Sequence, residues 1–142
     1  MIHPLELFDH PLELTIRRAY HSYDCGNLDG FLEACCEDFS LSVAGLSLVS
    51  GVWKGKSGLQ ALTRKLNEIS CGSLRQEIDE VLANDRHAVV LVFRRFTRDS
   101  VPKGYASAHV YLIRHGKLAR GWEQPRDLYE FDRAWGAEHQ LR

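Results

Sequence analysis

The run from His109 to Glu123 constrains this chain more than any other. His109-Val110-Tyr111-Leu112-Ile113-Arg114 and Lys117-Leu118-Ala119-Arg120-Gly121-Trp122-Glu123 flank His115-Gly116. Two alternating arms around a short turn predict a long antiparallel hairpin. Gly116 is the residue best able to take the positive φ that tight hairpin turns require. Register then decides the chemistry. A two-residue turn pairs Ile113 with Leu118 and sets His109 on the face of Trp122. A three-residue turn with a bulge at Gly116 pairs Ile113 with Lys117, and His109 then shares a face with Glu123. A slip of one residue carries Glu123 through the sheet. The bulged turn is the expectation here, because it gathers His109, Tyr111 and Glu123 beside the small residues Ala119 and Gly121. An imidazole and a carboxylate on one pocket wall make an acid-base pair. The competing reading is a hydrogen-bonded strand histidine and a solvated glutamate.

At 142 residues the chain is expected to form one domain, spanning 1-142. Apolar residues make up 44% and charged residues 26%, the proportions of an ordinary globular protein. A net charge of -1 gives no basic footprint for nucleic acid. No apolar run reaches membrane-spanning length, and the opening residues lack the order of a secretion signal. A cytoplasmic protein is the default expectation. Cys25, Cys35, Cys36 and Cys71 form no Cys-x-x-Cys pair and read as thiols rather than metal ligands. No metal site is expected.

In chain order, Asp9 and Pro11 signal a helix start, and Leu12, Ile16, Ala19, Tyr20 and Tyr23 continue it at helical spacing to Gly26. Asn27 caps a second, short helix with Leu28, Phe31, Leu32 and Cys35 on its buried side. From Phe39 the period changes to strand, broken at Gly45 and resumed through Trp53. Leu59, Leu62, Leu66 and Ile69 mark a third helix ending near Cys71-Gly72. Strands follow at 74–83, at His87 to Phe93 and through the hairpin. The second of these is almost continuously apolar, the mark of burial on both faces. The aromatic tail from Asp127 to Trp135 is expected to pack over the body. The result is an α+β architecture: a cone-shaped, curved antiparallel (mixed) sheet with three helices on its concave face. An apolar pocket between sheet and helices is the natural ligand site.

Asp24-Cys25-Gly26-Asn27, Glu37-Asp38-Phe39, Gly51-Val52-Trp53-Lys54-Gly55, His115-Gly116-Lys117-Leu118 and Trp122-Glu123 punctuate this order. With these marks the chain resembles nuclear transport factor 2-like proteins of the SnoaL-like group over nearly its whole length. That group hosts cyclases, isomerases, dehydratases and non-catalytic modules, so the resemblance speaks for fold more than for reaction. SnoaL-like cyclases carry a histidine and an acid on the last two strands, which implies His109 and Glu123, with Glu in place of the usual Asp. Scytalone dehydratase carries a Tyr-Asp pair at the end of its first helix, which Tyr23-Asp24 fits, and a tail like Glu130-Phe131-Asp132-Arg133. Ketosteroid isomerase places an aspartate where this chain has Val43, so its chemistry is not expected.

The resemblance implies a cofactor-free enzyme that abstracts a proton from a small, mostly apolar, oxygenated molecule such as a polyketide. Glu123 or Asp24 would be the base, His109 the acid or donor, and Tyr23 a second donor. Burial would raise the base toward neutrality. Tyr20, Trp53, Tyr111 and Phe93 are the expected ligand-binding residues. Asp24 as a helix cap and Tyr20 as core packing are the plainer readings of those two. Arg94 and Arg95 point to opposite faces, and the inward one needs Asp24 or Glu123 as partner. A homodimer is expected, because apolar residues occupy both faces of the hairpin. The rival function is a non-catalytic ligand-binding or dimerisation module of the same shape.

Overall fold

A computed structural model of the protein describes residues 10–137. Its elements are α1 (Pro11–Asp24), α2 (Leu28–Leu32), β1 (Cys35–Val43), β2 (Gly51–Lys54), α3 (Gly55–Ser70), β3 (Arg75–Ala83), β4 (His87–Arg98), β5 (Val101–Arg114), β6 (Lys117–Pro125) and α4 (Leu128–Trp135). The six strands form one open sheet in the order β2-β1-β6-β5-β4-β3. All neighbours are antiparallel except β1 and β6, which run parallel, so the sheet is mixed. The α+β architecture is as expected, with a fourth helix added by the tail.

Helix α1 buries Leu12, Ile16, Ala19 and Tyr20, one stripe at helical spacing. Asp9 lies outside the described residues. The cap is His10, whose Nδ1 accepts the Leu12 amide at 3.1 Å. Gly26 ends this segment at φ +84°, and Asn27 Oδ1 caps α2 by accepting the Gly30 amide at 3.0 Å. Asp24 is therefore not that cap. A Cβ on Gly30 would stand 2.6 Å from Ser22 Cβ, so the missing side chain lets the two helices touch. Cys35 belongs to β1 rather than to α2. It pairs with Leu118 of β6, and this long-range pairing overrides the local helical spacing.

Strand β4 corrects the expectation of burial on both faces. Ala88, Val90, Val92, Arg94 and Phe96 are buried beneath the helices, while Phe93 on the opposite face is 38% exposed. Val89 and Leu91, also on that face, are half-buried. The apolar run hid a simple alternation.

The tail packs against β5 and β6. Asp127 caps α4 by accepting the Glu130 amide at 3.1 Å, and Phe131, Ala134 and Trp135 point inward. Trp135 stacks on Phe96 at 4.0 Å between centroids, and its indole donates to the Tyr105 hydroxyl at 2.8 Å. One apolar cluster centres on α1, β4 and β5, and another on α3, α4 and the far end of β4. The cavity described below lies between them.

Candidate functional site

The hairpin turn is the two-residue form, with His115 at φ +54° and Gly116 at φ +72°, and Arg114 pairs with Lys117. Ile113 therefore pairs with Leu118, contrary to the expected bulged turn. Yet His109 pairs directly with Glu123. The extra residue sits deeper in the hairpin: Leu112 pairs with Arg120, so Ala119 is unpaired and forms a β-bulge. Leu118 and Ala119 are consecutively buried as a result. The bulge restores the inward face to Gly121 and Glu123, and turns Trp122 outward beneath Arg120, whose guanidinium lies 5.2 Å from the indole centroid.

Around this pair runs one continuous hydrogen-bonded chain. His109 Nε2 donates to Glu123 Oε2. Ser107 Oγ, two residues before His109 and so on the same face, donates to that oxygen at 2.6 Å. Arg94 Nη1 donates to Glu123 Oε1 at 3.2 Å, and Arg94 Nε donates to Gln76 Oε1 at 3.1 Å. Gln76 Nε2 in turn donates to Asp24 Oδ1 at 2.7 Å. On the other side, the Tyr20 hydroxyl lies 2.7 Å from His109 Nδ1 and 2.5 Å from the Tyr111 hydroxyl. Arg94, Ser107, His109 and Glu123 are all buried. Among the described residues, no buried side-chain nitrogen or oxygen lacks a partner.

The electrostatics reverse one expectation. Burial alone raises the Glu123 carboxyl, but the charges of His109 and Arg94 outweigh it, and hydrogen bonds from His109 and Ser107 add to them. Its pKa is held down at about 2 rather than raised toward neutrality. Burial opposes the Arg94 charge, and Glu123 more than restores it. Burial pushes the Tyr20 and Tyr111 hydroxyls above the ordinary phenol range, so both keep their protons. Glu123 is thus an ionised acceptor, with three donors on its two oxygens.

An apolar cavity of about 60 Å³ opens beside this chain. Phe31, Phe39, Leu59, Leu62 and Phe131 form its apolar walls, and Tyr20, Tyr23, Arg94, His109, Tyr111 and Glu123 supply its polar side. A second, polar hollow of about 170 Å³ shares Tyr23, Thr63, Gln76 and Arg94 with it. Among the described residues no three His, Cys, Asp or Glu side chains gather as a metal site.

The structure brings together most of the expected residues. His109, Glu123, Tyr23, Tyr20 and Tyr111 all line the cavity, with the Tyr23 hydroxyl 3.0 Å from Thr63 Oγ1. Asp24 does not line it. It is exposed at the polar hollow, joined to the interior through Gln76 and Arg94. Phe93 and Trp53 lie outside the cavity wall. Phe93 faces the outer side of β4, one residue out of phase with Val92 and Arg94. Trp53 packs under the β1–β2 connection, where its indole donates to Val49 O at 3.0 Å. Ser107, Gln76 and Tyr105 were missed. Alternation from His109 points to Ser107 and Tyr105, whereas β3 carries a register break between Ile78 and Glu80 that hides the face of Gln76.

No family model matches the sequence, and no curated protein matches it. Solved structures do match in fold. Bal32a, from a soil-derived mobile gene cassette, superposes with a TM-score of 0.81 at 22% identity, covering 87% of this chain and 95% of that one. A nuclear transport factor 2-like protein of unknown function from Burkholderia pseudomallei gives 0.78 at 22% identity, covering 89% and 98%. TerC, co-crystallised with polyporic acid, gives 0.78 at 17% identity, covering 88% and 98%. The chain therefore has the nuclear transport factor 2-like fold, as its sequence punctuation implied.

Proposed function

We propose that this protein is a cofactor-free proton-transfer enzyme of the isomerase, cyclase or dehydratase type, acting on a small, apolar, oxygenated molecule. The observation that carries the reading is the buried Arg94–Glu123–His109 array on the wall of an apolar cavity. Burying such charges costs several kcal/mol of desolvation per ion, and packed apolar residues serve stability as well or better. An imidazole held by a carboxylate inside a cavity is useful for moving protons. Glu123, ionised and held by three donors, orients His109 and balances its charge; it is not the base. His109 is the group that gains and loses the proton. Arg94 keeps Glu123 ionised and borders the cavity with fixed positive charge. Asp24, outside the cavity, is tied to Arg94 through Gln76.

TerC shares the fold and was crystallised with a small organic molecule, which supports a small-molecule role for a cavity of this kind. A binding module is the second reading, favoured by the uncovered outer face of the sheet, where Leu82 is 48% exposed opposite Val89. Deuterium exchange at the α-carbons of 2-tetralone, followed by proton NMR, separates the two. The enzyme reading expects acceleration by the wild type and a loss of about a hundredfold or more in His109→Gln. Tight binding of the ketone without exchange supports the module.

A further inference from the structure

We propose that neither nitrogen of His109 meets the ligand, and that the paired hydroxyls of Tyr20 and Tyr111 present its proton to the cavity. The inference rests on the acid-base role of His109 given above. Both imidazole nitrogens are occupied: Nε2 faces Glu123, and Nδ1 lies 2.7 Å from the Tyr20 hydroxyl. Tyr20 stands 2.5 Å from Tyr111, and both tyrosines line the cavity. The side chain is 7% exposed. Its route outward is through phenol oxygen.

The direction of each hydrogen bond follows from Glu123. An ionised carboxylate only accepts, so Nε2 carries a proton in either state of the ring. In the neutral ring Nδ1 is an acceptor; Tyr20 donates to it, and Tyr111 donates to Tyr20. In the imidazolium the order inverts. Nδ1–H donates to Tyr20, Tyr20 donates to Tyr111, and the Tyr111 proton is freed toward a ligand oxygen. The state of a buried ring is thereby displayed at a hydroxyl next to the cavity.

Proton removal from a carbonyl compound then balances as follows. The C–H bond next to the carbonyl breaks, and its electron pair remains as an enolate. The proton passes to the phenol pair, each hydroxyl hands its own proton inward, and Nδ1 receives the last one. The imidazolium rests against Glu123, and the enolate faces the Arg94 charge. The reverse transfer returns the proton to carbon or oxygen at another position, with no net oxidation. The charged and titratable groups around the relay are Tyr23 of α1, Cys35 of β1, Arg94 of β4, Tyr105 of β5 and Glu123 of β6. The substrate class is a carbon acid with an oxygen acceptor, because the Tyr111 hydroxyl at the cavity both takes up and returns the proton.

The test is 2-tetralone exchange by wild type, Tyr20→Phe, Tyr111→Phe, His109→Gln and the Tyr20→Phe/His109→Gln double variant. Tyr20→Phe is expected to lower turnover about a hundredfold or more, as His109→Gln does, with the double variant no worse than either. KM should stay within about threefold, and the wild-type rate should curve with deuterium fraction as several protons move together. If His109→Gln loses exchange while Tyr20→Phe keeps it, His109 meets the ligand directly and the relay is refuted. Additive losses or a linear isotope dependence also refute it. A wild type inert toward 2-tetralone fails at the proposed function instead. Should Tyr20→Phe not fold, 3-fluorotyrosine at position 20 retains the shape and acidifies the phenol. It should move the pH–rate profile, and an unmoved profile overturns the relay.

Discussion

Replacing Glu123 by Gln keeps the shape of the site and removes one charge, so its cost can be worked from the structure. The carboxyl sits at about 2 against an ordinary 4.5, a difference equivalent to about 3 kcal/mol of native-state stabilisation. The sign is that of a depressed acid. The stabilisation is fully present above pH 4.5, where both folded and unfolded chains are ionised. It is lost as pH falls toward about 2, because the unfolded chain takes up the proton first. In Glu123→Gln the Arg94 guanidinium stays buried without its counter-charge, which costs about 3–5 kcal/mol. For a domain of this size that is a fall in Tm of roughly 10 °C or more. Urea unfolding followed by the fluorescence of buried Trp135, at pH 7 and pH 3.5, measures both effects. The variant should be less stable at pH 7 and lose less than the wild type on acidification. A second variant, Arg94→Met with Glu123→Leu, should recover most of the loss, because no charge is left unpaired. Equal stability of Glu123→Gln and wild type at pH 7, with parallel acid slopes, would refute the account of a buried ionised carboxylate.

Three further outcomes follow from named contacts. Gly121→Ala places a Cβ 2.9 Å from Tyr111 Cε1 and 3.0 Å from Leu41 Cδ1; thermal melting should show a loss of about 1–3 kcal/mol. Asp24→Asn should leave stability within about 0.5 kcal/mol, since Asp24 is exposed and caps nothing. Asn27→Ala should cost about 1 kcal/mol through loss of the α2 cap. We propose that Phe93, Leu82 and the half-buried Val89 and Leu91 on the outer sheet face cover those of a second copy. Light scattering at micromolar concentration should give a dimer mass, and Phe93→Glu a folded monomer; a monomeric wild type refutes this.

Much of the fold was legible because alternation and helical spacing are local. Leu12, Ile16 and Tyr20 declare their stripe, and Leu59, Leu62 and Leu66 theirs. Non-local terms were not legible. Cys35 has helical neighbours, but Leu118 pulls it into a strand. Phe93 lies in an apolar run whose parity shows only when Arg94 is seen to face Glu123. His109 and Glu123 were rightly placed on one face for the wrong reason. The turn was assigned a bulge that the chain carries at Ala119, and an alanine gives no sign of leaving the ladder. The acidity of Glu123 was misjudged because burial was weighed without Arg94, whose partner the sequence left open between two carboxylates.

The Ala119 bulge is what turns the site inward. Strand β6 is held on both sides, and both ladders break register at the same place. Against β5 one residue of β6 is skipped, and against β1 the pairing jumps from Cys35–Leu118 to Ser40–Arg120. Beyond that point Val43 and His109 flank Glu123 from either side. Without the bulge, Trp122 would face the cavity and Glu123 the outside, as hydrophobic patterning alone would choose. An inward glutamate and an outward tryptophan set local preference against the fold, and such conflicts gather at functional sites. Deleting Ala119 alone takes out the unpaired residue and leaves Leu112–Arg120 and His109–Glu123 opposite each other, so Glu123 stays inward and the cooperative thermal transition survives. Deleting Ala119 and Arg120 together slips every residue from Gly121 to Pro125 by one, turns Trp122 inward and strands Arg94. It is expected to abolish the cooperative thermal transition. A double-deletion variant that melts like the wild type would show that the pairing of β1 alone fixes the face of Glu123.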